Sequence, residues 1–343
     1  MIAMTSPMYI AEISPSSIRG KMVTSHQLAM VIGFILPFMV SFLINTGDIS
    51  HSDRVAYGWR LMFWTEIVPA VIFFALLFYI THSPRWLIFK GRNHQAKTVL
   101  DQLAEDKSEA KTEYELIAKS LAETKAPSRK LLFKNGLGYA LFLGIMLAIF
   151  QQATGIVAIL IYSGEIFSQA LGYDPKQALM PQLWVGIVNL IFTFVAIYKV
   201  DSWGRKPLLI GGTLGMFFGL SVLALSVYTQ QEGLLSLIGV LVFVGAFAMS
   251  MGPVVWVILA EIFPNNVRSL AMSITIGAQC LTSALVTNGF PMLHKSHFNT
   301  LNFNGALPYF LFASVCIIAI LFVWRLVPET KGKSLEEMEQ IWR

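Results

Sequence analysis

Residues 11–19 run Ala11-Glu12-Ile13-Ser14-Pro15-Ser16-Ser17-Ile18-Arg19, and residues 260–268 run Ala260-Glu261-Ile262-Phe263-Pro264-Asn265-Asn266-Val267-Arg268. Five of the nine positions are identical and a sixth exchanges Ile for Val. Each copy ends an apolar run and sets a Glu seven residues before an Arg, with a helix-breaking Pro between them. Self-similarity of this kind signals a repeated architecture, and the chain between the copies defines the unit.

A bilayer core takes about 20 consecutive apolar residues per helix. Eight runs are long enough: 22–46, 60–81, 137–163, 181–200, 207–228, 234–258, 269–293 and 306–327. A shorter apolar piece, 1–11, reads as the end of a helix. Between the two copies lie five whole spans plus the span that ends in the second copy, so the repeat is six helices. Parallel six-helix repeats are the architecture of the major facilitator superfamily. In the second half, spans 137–163, 181–200 and 207–228 precede the motif-bearing span, whereas nothing precedes the piece 1–11. The expectation is an all-α membrane protein, a major-facilitator-type bundle truncated at its N-terminus, with eight full spans and a stub of a ninth. Its expected parts are 1–81 (the remainder of an N-terminal half), 82–135 (a linker), 136–327 (a C-terminal six-helix half) and 328–343 (a tail).

Composition agrees. Of the 343 residues 55% are hydrophobic and 13% charged, with a mean hydropathy of +0.62. Soluble domains carry about 25% charged residues, and one aqueous core cannot hide this much apolar surface. In lipid the surface itself must be apolar. The isoelectric point near 9.1 reflects topology. Alternating spans place 21 of the 25 Lys and Arg residues on one side. With the long segment 82–135 left out, the ratio is still 10 to 4. The positive-inside rule makes that side, and the C-terminus, cytoplasmic, in a multi-pass protein of the cell (inner) membrane. The basic residues alternate with acidic ones and form no concentrated face, so nucleic acid is not an expected partner.

Segment 82–135 holds 11 basic and 7 acidic residues. Its apolar positions Val99, Leu100, Leu103, Leu116 and Ile117 predict short amphipathic helices, and some 50 residues are too few for a separate catalytic domain. Cys280 and Cys316 sit in apolar runs away from other thiols or His residues, which indicates neither a disulfide framework nor a metal site. The N-terminus has no charged region ahead of an apolar stretch and does not read as a signal peptide.

Several short stretches resemble the sugar porter family of that superfamily, in the family's order and across essentially the whole chain. They are Glu12 to Arg19, Ser83-Pro84-Arg85-Trp86-Leu87, Gln151-Gln152-Ala153-Thr154-Gly155, Asp201-Ser202-Trp203-Gly204-Arg205-Lys206, Gly252-Pro253 with Trp256, Glu261 to Arg268, and Pro328-Glu329-Thr330-Lys331-Gly332. In style the chain is most similar to bacterial pentose and hexose proton symporters, and the family's first three helices are what the match lacks. The resemblance implies transport of a monosaccharide or related polyol by alternating access, proton-coupled in a complete parent protein. The rival expectation is a non-transporting remnant or a sugar-sensing membrane protein.

A sugar is neutral and rich in hydroxyls, so its site needs side chains that donate and accept, plus an aromatic face. Mid-helix amides are few: Gln27, Gln151, Gln152, Asn189 and Gln279, with Trp256 the aromatic candidate. Gln151, Thr154, Gly155, Ala158 and Tyr162 follow the spacing of one helical stripe. A lone amide can equally serve as interhelical glue. By resemblance, Gln27, Gln151, Gln152, Asn189, Trp256 and Gln279 bind the sugar. Two departures stand out: Val157 replaces the family's usual Asn, and Cys280 stands where some relatives have Trp. By resemblance also, Glu12, Arg19, Asp201, Arg205, Glu261 and Arg268 form a cytoplasmic gate network that links the halves, against the alternative of solvated topology charges. No triad, phosphate loop or metal cluster is present, so neither an enzyme nor a cofactor is expected. The expected partners are a small-molecule sugar, the lipid bilayer and protons, with the chain a monomer. No Asp or Glu stands out in mid-membrane as a proton acceptor, and the family's proton-carrying first helix has no counterpart here.

Overall fold

The structure is a computed structural model. It describes residues 2–14, 19–46, 51–104, 106–123, 137–171, 179–231, 233–263 and 267–331. Among these, all regular structure is helical. Eight stretches are long and apolar enough to cross a membrane, at Lys21–Ile44, Tyr57–Leu77, Leu137–Ser168, Met180–Trp203, Arg205–Tyr228, Leu234–Ile262, Arg268–His294 and Leu307–Leu326. All eight coincide with runs expected from the sequence. Pro15 and Pro264 of the repeated motif lie outside the described residues, as do 124–136 of the linker and 332–343 of the tail.

The N-terminal part comprises α1 (Ile2–Ile13), α2 (Arg19–Thr46), α3 (His51–Thr65) and α4 (Ile67–Leu77). Helix α1 packs on α2 and is tied to the end of the α3–α4 span, where the Tyr9 hydroxyl donates to the Thr81 carbonyl at 2.7 Å. The α3–α4 span is interrupted at Glu66, and none of α4 is buried within the chain. Its Phe73, Phe74 and Phe78 face outward, as apolar side chains do when lipid is the solvent. Glu66, exposed within the chain, lies near the middle of the span Tyr57–Leu77.

Three short helices follow: α5 (Pro84–Phe89), α6 (Asn93–Leu103) and α7 (Lys107–Glu123). Ser83 caps α5, its hydroxyl accepting from the Trp86 N–H at 3.2 Å, and Pro84 occupies the first turn, where its missing N–H costs nothing. Leu100, Ala110 and Ile117 form a small core with Ile88, Ala104 and Tyr114. Leu116, expected on the apolar face, is 53% exposed instead, because Ile117 takes the inward position on α7.

The C-terminal part contains α8 (Leu137–Ala153), α9 (Ile156–Leu171), α10 (Leu179–Trp203), α11 (Arg205–Tyr228), α12 (Leu234–Met249), α13 (Met251–Ile262), α14 (Arg268–His294), α15 (His297–Phe303) and α16 (Leu307–Leu326). Two of the expected continuous spans are therefore broken. The first break falls at Thr154–Gly155, where Gly155 takes φ +85°, a left-handed conformation that ends α8. A Cβ there would run into the Phe312 ring of α16. The second falls at Ser250, whose hydroxyl turns back to donate to the Ala246 carbonyl at 2.7 Å. Pro253 lies in the first turn of α13, the part of a helix that tolerates it.

Helices α11 and α12 pack through small residues. Cβ atoms added at Gly219 and Gly239 would each meet backbone of the other helix within 3 Å, so the two backbones approach as in membrane small-residue seams. Leu209, Met216, Leu220, Leu223 and Phe243 fill the core around them. Helix α10 packs on α2 and brings the N- and C-terminal parts together, with Gly186 against Ile35.

Candidate functional site

Gln27, Gln151 and Gln279 converge where α2, α8, α13 and α14 meet. Gln151, the third-last residue of α8, is buried. Its Nε2 donates to the carbonyls of Met251, at 2.8 Å, and Gly252, at 3.1 Å, in the first turn of α13. Its Oε1 accepts from Gln279 Nε2 on α14. One side chain thus links three helices, and both of its amide protons are used. Gln27 of α2 approaches the same turn, with its Nε2 3.4 Å from where a Cβ on Gly252 would stand. One helical turn further along α13 is Trp256, 5% exposed, with the His26 ring of α2 edge-on to it at 6.0 Å.

The amide oxygens Gln27 Oε1, Gln152 Oε1 and Asn189 Oδ1 are buried and have no hydrogen-bond donor. A buried acceptor left unpaired costs about 1–3 kcal/mol. Each is an acceptor that a ligand bringing O–H donors could satisfy. Gln151 and Gln279 are spent on each other and on α13, so in this conformation they hold the wall in place. Of the expected stripe, Thr154 donates its hydroxyl to the Gln151 carbonyl at 3.1 Å and Ala158 is buried. Tyr162 stacks on Phe290 at 5.3 Å. The break at Gly155 splits these residues between two helices, so they do not form one continuous stripe. Val157 is half-buried and Cys280 exposed.

A second cluster lies where the ends of α10, α11 and α13 meet. Gly204, φ +93°, turns the chain from α10 into α11. Arg205, 5% exposed, bridges Asp201 at 3.0 Å and Glu261 at 2.8 Å, and donates to the Val200 carbonyl at 3.3 Å. Glu261 also accepts from the Thr330 hydroxyl at 2.6 Å. Glu329 caps α11: its two oxygens take the N–H groups of Arg205 and Lys206, each at 3.0 Å. A carboxylate at a helix N-terminus satisfies orphan donors and opposes the helix dipole. Lys331 completes the tie, donating from Nζ to the Ser202 carbonyl at 2.6 Å.

Of the six expected gate charges, Asp201, Arg205 and Glu261 therefore meet. Arg268, buried, holds the Phe263 carbonyl at 3.2 Å. Glu12 is half-buried on α1 and stands outside the ion pairs centred on Arg205. The side chain of Arg19 lies outside the described residues. Sequence reasoning quoted Glu329, Thr330 and Lys331 as a signature but gave them no role. The usable signal was three polar groups directly after a span, close to a Gly-Arg turn. It also passed over His26 and Glu66, single ionisable residues inside apolar runs, which intramembrane energetics mark for attention.

Comparison with known proteins agrees with this architecture. The chain is 41% identical to the D-xylose-proton symporter of Escherichia coli over 343 residues, which is 100% of this chain and 69% of that protein. It is 37% identical to the glucose facilitated diffusion protein of Zymomonas mobilis, spanning 100% of this chain and 72% of that one. Its structure matches that of the proton:xylose symporter XylE bound to 6-bromo-6-deoxy-D-glucose with a TM-score of 0.89 and 42% identity, covering 99% of this chain and 71% of the other. The family model described as sugar (and other) transporter matches residues 1–342, and the chain accordingly belongs to the sugar transporter family of the major facilitator superfamily, a family of multi-pass membrane carriers and not of enzymes.

Proposed function

We propose that the chain binds a monosaccharide at the junction of α2, α8, α10, α13 and α14 and carries it across the membrane by alternating access. The observation that carries this reading is the pairing of a rigid amide hub, Gln151 with Gln279 and the α13 carbonyls, with three buried acceptors that have no donor. Sugar hydroxyls supply the missing protons, and Trp256 offers an apolar ring face. Gln27, Gln152 and Asn189 contact the substrate; Gln151 and Gln279 set its frame. The relatives named for xylose and glucose point to a pentose or hexose. The halves meet along α2 and α10 and rock about the site, residues 82–135 bridging them. The Arg205 cluster lies on the cytoplasmic face with the C-terminus, in the inner membrane, where it holds the inner gate shut.

Coupling to protons, as in the xylose symporter, needs an ionisable side chain within the membrane-spanning part. Glu66 fits: it interrupts the span Tyr57–Leu77 and is unburied within the chain. A carboxylate at that depth is rare and marks a functional position.

The test is binding and uptake of labelled D-xylose and D-glucose in proteoliposomes. Gln152→Ala lowers sugar binding roughly tenfold or more, the worth of a buried hydrogen bond to a hydroxyl, at unchanged protein incorporation. Unchanged binding refutes the site. Glu66→Gln abolishes any stimulation of uptake by an inward proton gradient while equilibrium exchange continues; a variant still driven by the gradient refutes the proton role.

A further inference from the structure

We infer that His26 is a sugar-contacting residue, the partner of Trp256 in closing one end of the site and a determinant of which hydroxyl pattern is accepted. The inference rests on the proposed sugar site and adds a residue that the sequence reading did not include.

His26 directly precedes Gln27 on α2, and both side chains face α13. Gln27 stands by Gly252, and the imidazole meets the Trp256 ring edge-on at 6.0 Å with an interplanar angle of 70°. Gly252 and Trp256 are four residues apart, about 6 Å along a helix axis. The His26–Trp256 pair is therefore one turn removed from the amide hub, toward the C-terminal end of α13. A ligand held at the hub rests on this pair as on a floor.

His26 Nδ1 is buried without a hydrogen-bond partner, like the Oε1 of the adjacent Gln27. A neutral imidazole carries one donor and one acceptor, so it can both give and take a hydrogen bond with a hydroxyl group. An indole flanked by an imidazole thus presents a stacking face and an orienting polar edge in one place. Were the ring there only to pack against Trp256, a purely apolar side chain would serve without burying an unpaired nitrogen.

The experiment measures binding of D-xylose, D-glucose and the monodeoxy-D-glucoses to the purified full chain in nanodiscs by titration calorimetry. His26→Phe keeps a ring against Trp256 and removes both nitrogens; His26→Asn keeps a donor and an acceptor. The expected result is a loss of about tenfold for His26→Phe and retention within about threefold for His26→Asn. One monodeoxy sugar should bind wild type and His26→Phe equally, because the lost nitrogen and the lost hydroxyl are the same bond. Equal affinity of His26→Phe and wild type, or a uniform loss across the whole deoxy series, overturns the inference. Gln152→Ala separates the levels. If it weakens binding while His26→Phe does not, only the role of His26 falls. If wild type binds none of these sugars, the carrier site falls with it.

Discussion

Replacing Gly155 by Ala tests the break between α8 and α9, on which the geometry of the amide hub depends. Two separate penalties apply. The backbone at φ +85° lies in the left-handed region, where an L-residue with a Cβ pays about 1–2 kcal/mol. The new methyl also collides with the Phe312 ring, including the ring carbon that joins the side chain. That ring cannot simply swing aside, because it stacks on Phe290 at 6.2 Å and its residue is 8% exposed. Overpacking of this kind costs about 1–3 kcal/mol, which brings the expected destabilisation to about 2–5 kcal/mol. The assay is reversible unfolding in detergent micelles for wild type, Gly155→Ala, Phe312→Ala and the double variant. In the Phe312→Ala background the collision is gone, so Gly155→Ala should cost only the backbone part, about 1–2 kcal/mol. Gly155→Asn, which tolerates left-handed backbone better, should retain the collision and lose part of the strain. A Gly155→Ala variant within about 0.5 kcal/mol of wild type refutes the reasoning, as does the absence of coupling to Phe312. A functional consequence follows from the same geometry. Thr154 bonds the Gln151 carbonyl, so straightening the helix here swings Gln151 off the α13 carbonyls, and sugar affinity falls with stability.

Further predictions concern the cluster at the helix ends. Arg205→Met strands Asp201 and Glu261 around a nearly inaccessible position and should destabilise the chain by about 3–5 kcal/mol. Arg205→Lys keeps the charge but loses the fork and should fall between the two; a thermal midpoint for Arg205→Met equal to wild type refutes the ion-pair reading. Glu329→Ala removes the cap from α11 and should cost about 1–2 kcal/mol, seen as faster hydrogen exchange at the Arg205 and Lys206 amides. Unchanged exchange at those two amides refutes the capping role.

Much of the fold was legible because lipid leaves a chain few choices. Each span must be long and apolar, and the eight runs could be counted by length alone. The interruptions were hidden because their causes are distant. Gly155 turns left-handed where Phe312 of α16 packs against it, and nothing near residue 155 announces that contact. The even spacing from Gln151 to Tyr162 assumed one helix axis, and the break removed it. On α7, periodicity identified an apolar face but could not decide which of Leu116 and Ile117 faces the small core. The sequence marked the mid-helix amides but not which of them bond each other. Gln151 and Gln279 bond across 128 residues, which only the packing of α8 on α14 reveals. Glu329 is the clearest case: its partners lie 124 and 123 residues earlier, and a carboxylate after the last span looks like an ordinary solvated charge until the turn at Gly204 is placed beside it.

That turn also bears on mechanics. A Cβ on Gly204 would approach a Glu329 carboxylate oxygen to 2.9 Å and strain a backbone at φ +93°, so glycine lets the tail lie against the turn undisturbed. Through Glu329, Thr330 and Lys331 the segment after α16 is laced to α10, α11 and α13 at once. The ends of four helices are thereby fastened into one stiff plate. A force that separates α2 from α10 acts on this plate as on a single lever: it tilts whole, and any slack in the cycle must lie at its rim and not between its members.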